Sequence, residues 1–232
     1  MRWFGRRNKP DPLISNPSGL EMPLTFDASA WQEARSNAWT NSDGDAVILN
    51  FFNLPPDLPA ALEDLQQLRE AMSAHTAAQG GGLVELDVTT LDGIQAVQQI
   101  VKLRDTSQRT GVVYIGSFIV PRANCSVVLR VQCFEHFVTG IREAVVADMF
   151  QKERSGENSI GDVMAGWAQH PYTSGIGGGF PRNRADDQQW DETFPDHPLS
   201  RARRTLDAIR PSVRLDRNFQ ERPAFRGPVR RL

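Results

Sequence analysis

Only two cysteines, Cys125 and Cys133, occur in 232 residues, too few for a disulfide framework. No apolar stretch approaches the roughly 18 residues that a bilayer-spanning helix needs. The N-terminus, Met-Arg-Trp-Phe-Gly-Arg-Arg-Asn-Lys-Pro, carries positive charge with no apolar run behind it, so a secretory signal is not expected. A cytoplasmic location fits these absences best. Net charge is also small, −2 at pH 7, and supplies no bulk attraction toward nucleic acid.

Signatures of catalysis are missing too. No Walker sequence, nucleophile elbow or zinc-ligand spacing is present. The four histidines are His75, His136, His170 and His197. Cys133 and His136 are close along the chain but differ in strand parity, which points to a buried structural cysteine and not to a catalytic pair. The residues Asp186, Asp187, Asp191, Glu192, Asp196 and His197 are the one group with metal-ligating types. Their spacing reads as a solvated acidic loop leading into a capped helix. Gly175 to Gly179 has the bareness of a phosphate cradle, but His170-Pro171 before it and Phe180-Pro181 after it replace the strand and helix that such a cradle needs. A linker is expected there. No enzyme activity, metal or cofactor follows from these residues.

What is present is an asymmetric distribution of charge. From Ser200 to Leu232 there are ten arginines, no lysine and three acids, Asp207, Asp216 and Glu221. That segment carries +7, so the preceding 199 residues carry −9. Such a tail is expected to touch something acidic, either a partner or the protein's own body. Guanidinium groups suit bidentate pairing with carboxylate or phosphate. The candidate partner-binding residues are therefore Arg201, Arg203, Arg204, Arg210, Arg214 and Arg217, joined by Trp167 and Trp190. Large aromatics are unusual in a glycine-rich stretch, so the tryptophans either staple it to the domain or await a partner as anchors.

The periodicity supports an α+β fold, a mostly antiparallel sheet flanked by helices. Residues 1–22 read as a flexible arm, 23–150 as the core domain, 151–197 as a segment rich in glycine and acids, and 198–232 as an arginine-rich helix and tail, disordered beyond Pro211. Leu24–Phe26 reads as a short edge strand, and Ala46–Phe52 as a well-punctuated one. Leu58, Ala61, Leu62, Leu65, Leu68 and Met72 recur at helical spacing, with Asp57 and Pro59 at the entry and Gly80-Gly81-Gly82 at the exit. Val84–Val88 alternates as a strand does, and Ile94–Leu103 suits either state but leans to strand. Gly111–Val120 and Cys125–Phe134 form a hairpin candidate, with Arg130 and Gln132 opposite in face to Val127, Leu129, Val131 and Cys133. Thr139 reads as the cap of a helix whose buried stripe is Ile141, Ala144, Val145 and Met149. A last helix spans 198–209, with Asp196 as cap and Leu199, Ala202, Leu206 and Ile209 on one face.

Residues from about 24 to 150 resemble the PsbP/DcrB/Mog-like fold. The resemblance lies in the helix ending at Gly80-Gly81-Gly82, the strand Leu83–Val88, the run Gly111 to Phe134 and the Thr139-Gly140-Ile141-Arg142-Glu143 helix start. It implies a small α/β sandwich that binds other proteins or serves as an accessory subunit. Its most concrete form is a chaperone or immunity-like factor of a bacterial secretion system. The expected function is thus a non-catalytic protein-binding adaptor whose partner presents an acidic surface. The alternative is a nucleic-acid-associated accessory protein whose arginine tail meets phosphates. Against it, basic and aromatic residues are not interleaved on any predicted strand.

Overall fold

A computed structural model describes residues 22–105, 111–135, 139–154, 166–173 and 178–228. The architecture is α+β, with one seven-stranded antiparallel sheet and few helices. Its strands are β2 (Gln32–Arg35), β3 (Ala38–Thr40), β4 (Ala46–Phe52), β5 (Gly82–Leu91), β6 (Ile94–Arg104), β7 (Val112–Pro121) and β8 (Ser126–Phe134). In space they run β2-β3-β4-β8-β7-β6-β5. The ambiguous stretch at 94–103 is therefore a strand. The hairpin candidate is β7–β8, closed by the pair Pro121↔Ser126. A separate two-stranded ribbon joins β1 (Leu24–Thr25) to β9 (Arg214–Leu215). The short strand at Leu24 thus lies outside the main sheet.

Strand alternation sends side chains to two faces, and each face builds its own core. Val127, Leu129, Val131 and Cys133 have no exposed surface and lie under helix α3 (Pro198–Ile209) with Leu199, Ala202, Leu206 and Ile209. Leu206 sits directly on β7 at Gly116, where a Cβ would stand 2.8 Å from its Cδ1 atom. Helix α3 begins with Pro198 in its first turn, but its cap is His197, whose Nδ1 accepts from Leu199 N at 3.2 Å. Asp196, expected in that role, is one residue too early.

On the opposite face, helix α1 (Leu65–Ala78) packs Leu68 and Met72 against Leu83, Leu86 and Val97. The helix starts later than its periodicity suggests. Asp64 caps it by accepting from Gln67 N at 3.1 Å, while Leu58 and Leu62 are buried in the irregular approach. The triple glycine after α1 does more than end it. Phe180 N donates to Gly81 O at 2.8 Å, and a Cβ on Gly82 would fall 1.6 Å from Phe180 O. Two backbones meet there, which only a bare chain permits.

Two expectations are corrected. Helix α2 (Ile141–Glu153) is not capped by Thr139; Gly140, in the left-handed region at φ 77°, stands there without a side-chain cap. Nor does α2 bury its apolar stripe. It buries Arg142 and Val146, and it exposes Ile141, Val145 and Met149. The chain beyond Pro211, expected to be disordered, is folded as far as it is described. Val213, Leu215 and Phe219 join the α3-side core and Phe225 the α1-side core. Helix α4 (Arg217–Gln220) presents Phe219 O to Arg122 Nε at 3.1 Å. These contacts are made by side chains too widely spaced to produce a periodic pattern. The arm at 1–21 lies outside the described residues.

Candidate functional site

The arginines singled out in the sequence fall into two sets. Arg201 and Arg203 are buried in α3. Arg201 clasps Asp45 with two bonds of 2.9 Å and donates to Phe134 O at 2.7 Å. Arg203 bridges Glu85 at 2.8 Å and Asp191 at 3.0 Å. Neither is free to meet a partner, which corrects the expectation for both. They are the means by which a +7 segment docks on its own −9 body. Arg204, Arg214 and Arg217 are exposed and Arg210 is half-buried, yet each already has an internal contact. Arg204 donates to Pro195 O, Arg210 pairs with Asp207, Arg214 donates to Val213 O and Arg217 pairs with Glu221.

The acidic stretch is correspondingly not a solvated loop. Asp186 has no exposed surface and takes Lys102 Nζ at 2.6 Å and the Tyr114 hydroxyl at 2.9 Å. Burial, then the charges of Asp186 and Glu143, push the Tyr114 hydroxyl well above its ordinary pKa and keep it a donor. Arg142 is 1% exposed and donates to Ala185 O, Asp187 O, Ser200 Oγ and Asp191 Oδ1. These are paired, hydrogen-bonded charges, the form in which a buried charge is tolerated. Trp190 donates its indole N–H to Arg184 O at 3.1 Å, and Trp167 lies 5.7 Å from the Phe150 ring. Both are half-buried; Trp167 joins this segment to α2, whereas the Trp190 contact stays within the segment.

Next to this network the surface opens. A cleft of about 870 Å³ runs between the Ser42–Gly44 turn, the residues Thr193–Pro198 and the start of α2, with Ile141 and Phe194 on its apolar side and Glu135 and His197 on its polar side. Ligand atoms of Glu135, Glu143 and His197 lie within 4.8 Å of one another. Glu135 is fixed by two backbone donors, Gly140 N and Val112 N, each at 2.9 Å. Burial pushes the Glu143 carboxyl up, but the hydrogen bond and charge of His197, with Lys102 behind, more than offset it and hold the pKa below the ordinary range. Its Oε2 atom is buried with no partner among the described residues.

His197 Nδ1 is engaged in the helix cap, while its Nε2, 3.5 Å from Glu143 Oε1, is buried with no hydrogen-bond partner among the described residues. Cys133 has no exposed surface, and burial, then Asp45, drive its thiol pKa far up. His136, the residue considered with it, lies outside the described residues, as do Gly175–Gly177.

Along α2 the cleft continues into the exposed stripe of Ile141, Val145 and Met149, 51%, 42% and 41% exposed at spacings of four. Sequence periodicity located this stripe correctly as a stripe and placed it on the wrong side of the helix. The signal that separates the two sides is Arg142, a residue with five donors that the neighbouring acids draw inward. Compared with models of known protein families and with curated proteins, the chain matches none.

Proposed function

We propose that the protein is a non-catalytic binding protein that seats a segment of a protein partner along α2 and in the cleft at its N-terminal end. The observation that carries this reading is the exposed stripe Ile141–Val145–Met149, which opens directly into the cleft. Apolar side chains at i, i+4 and i+8 on one helix face are the pattern with which helices enter grooves or receive apolar segments. The cleft adds charge selection. Asp43, Glu135 and Asp196 line it, while its arginines, Arg142 and Arg201, are already engaged with Asp191 and Asp45. The partner segment is therefore apolar with at least one basic residue, reversing the acidic partner expected from the tail. An accessory-factor role of the kind implied by the fold resemblance accords with this, and the engaged state of the α3 arginines weakens the nucleic-acid alternative.

Val145→Glu together with Met149→Glu tests the reading. Both positions are exposed, so the melting temperature should stay within about 2 °C, as for surface substitutions generally. Affinity capture run in parallel should recover a defined protein with the native chain and lose it with the double variant. A melting point lowered by several degrees would show that the stripe is covered by the chain itself, and capture unaffected by the two glutamates would place the docking surface elsewhere.

A further inference from the structure

A second cavity of about 440 Å³ lies on the other side of the sheet, between α1 and β6–β8. Its floor is set by register. Gln99 pairs with Ser117, and Ser117 pairs with Arg130, so three polar side chains stand in line across three adjacent strands on one face. The flanking rows are apolar except at Gln132, which pairs with Ile115 and also lines the cavity. Ile119↔Val128 lies on one side and Val101↔Ile115 on the other, while Met72 of α1 and Leu58 of its approach complete the wall.

The arginine of this row differs from the buried arginines described above. Arg142, Arg201 and Arg203 each hold a carboxylate. Arg130 holds none among the described residues. Its Nε atom is buried without a hydrogen-bond partner, and so is Gln99 Oε1. Burial alone acts on the Arg130 guanidinium, lowering its pKa, with no neighbouring charge to counter it. An arginine nevertheless stays charged at neutral pH. Arg130 is half-buried, with its Nε atom shut off from solvent; a charge desolvated without a counter-charge is costly, and buried unmet polar atoms call for an explanation. Of the residues lining the cavity, the charged ones are Arg104, Arg130 and Asp57, with His75 at the exposed rim. The balance favours an anion.

We propose that this cavity is a binding site for a small organic carboxylate. The carboxylate pairs with Arg130. The apolar body lies between the two flanking rows and beneath Met72. A polar substituent meets the side-chain amide of Gln99, which can serve as donor or acceptor. Arg130, the half-buried guanidinium of the lining, balances a single negative charge, while Arg104 is exposed and stacked on Phe180; this separates the ligand from phosphate, a dianion that needs several donors. The volume falls in the range that holds small-molecule ligands, roughly 300–1,000 Å³. The site is on the opposite face of the sheet from α3 and does not depend on the α2 cleft.

Calorimetric titration of the full chain with octanoate, octan-1-ol and inorganic phosphate tests the assignment. Octanoate should bind once per chain, octan-1-ol at least about tenfold more weakly, and phosphate not at all. Arg130→Met should weaken octanoate by about tenfold or more without lowering the melting temperature, and Arg130→Lys should restore part of the loss. Tenfold corresponds to about 1.4 kcal/mol. The proposal is overturned if octanoate fails to bind, if Arg130→Met binds it as well as the native chain does, or if the alcohol binds as tightly as the acid.

Discussion

The two faces of the sheet are built from the same strands and treat charge in opposite ways. Under α3, Lys102, Arg142, Arg201 and Arg203 are all buried, and each has at least one carboxylate within 3.0 Å. Under α1, Arg130 and Gln99 each keep a buried atom with no partner. The α3 face is sealed by a segment that arrives with its own cations and finds acids waiting. The α1 face is only partly covered, because α1 packs on the β5 side and leaves the middle of the sheet over β7 and β8 to a cavity. The closed face engages its buried cations with its own carboxylates, and the open one leaves a cation available for a ligand.

Removal of a partner should hurt most on the closed face. Asp186→Ala leaves the Lys102 ammonium buried without its carboxylate and the Tyr114 hydroxyl with only its 3.5 Å contact to Glu143, and urea unfolding should record a loss of about 3–5 kcal/mol. A loss under about 1 kcal/mol would mean that water reaches Lys102 and that the face is less sealed than described. Apolar truncation gives the next largest contrast. Leu206→Ala opens a cavity over Gly116 and should cost about 2–5 kcal/mol, whereas Leu65→Ala, half-buried at the start of α1, should cost about 1 kcal/mol. Equal losses would erase the distinction between the two helices.

Glu143 provides a smaller effect with a definite sign. Its folded-state pKa lies below its unfolded one, so the ionised carboxylate adds stability that is fully present above the ordinary glutamate range. That stability is lost as the pH falls through the depressed folded value. The native chain should therefore be the more stable at pH 7, and it and Glu143→Gln should converge as the pH falls through the depressed folded value, read from urea midpoints. A difference that grows toward acid would reverse the assignment. The smallest effect is expected at Arg130→Met, where loss of a half-buried charge should change stability by about 0 to +1 kcal/mol. A loss of several kcal/mol would give that side chain a structural partner.

The legible parts of the fold were those in which local pattern and tertiary role coincide. Ala46–Phe52 is bounded by turn residues on both sides and is a strand over those same residues. The α3 stripe of Leu199, Ala202, Leu206 and Ile209 faces the core as its spacing implies. The strands β2 and β3 carried no such pattern. All four residues of β2 are exposed, so hydrophobic alternation had nothing to mark. The folded tail was hidden for a different reason. Its order rests on single residues reaching across the whole chain, such as Leu215 pairing with Leu24 and Phe219 O meeting Arg122. Of the two candidate sites, the parity of Arg130 was visible in β8, but its alignment with Ser117 and Gln99 needs the register of three strands. On α2 the rule that apolar stripes face inward yielded to Arg142, because three hydrogen bonds to the acidic segment and one to Ser200 of α3 hold that residue inside.

The late position of α3 in the chain also has a bearing on how the protein is made. Synthesis runs from the N-terminus, so β7 and β8 are complete well before residues 198–219 leave the ribosome. During that interval Phe118, Val127, Leu129 and Val131, all without exposed surface in the finished protein, have no cover. The nascent chain must shield that face or find a temporary guardian for it until the arginine-bearing helix arrives and closes the fold.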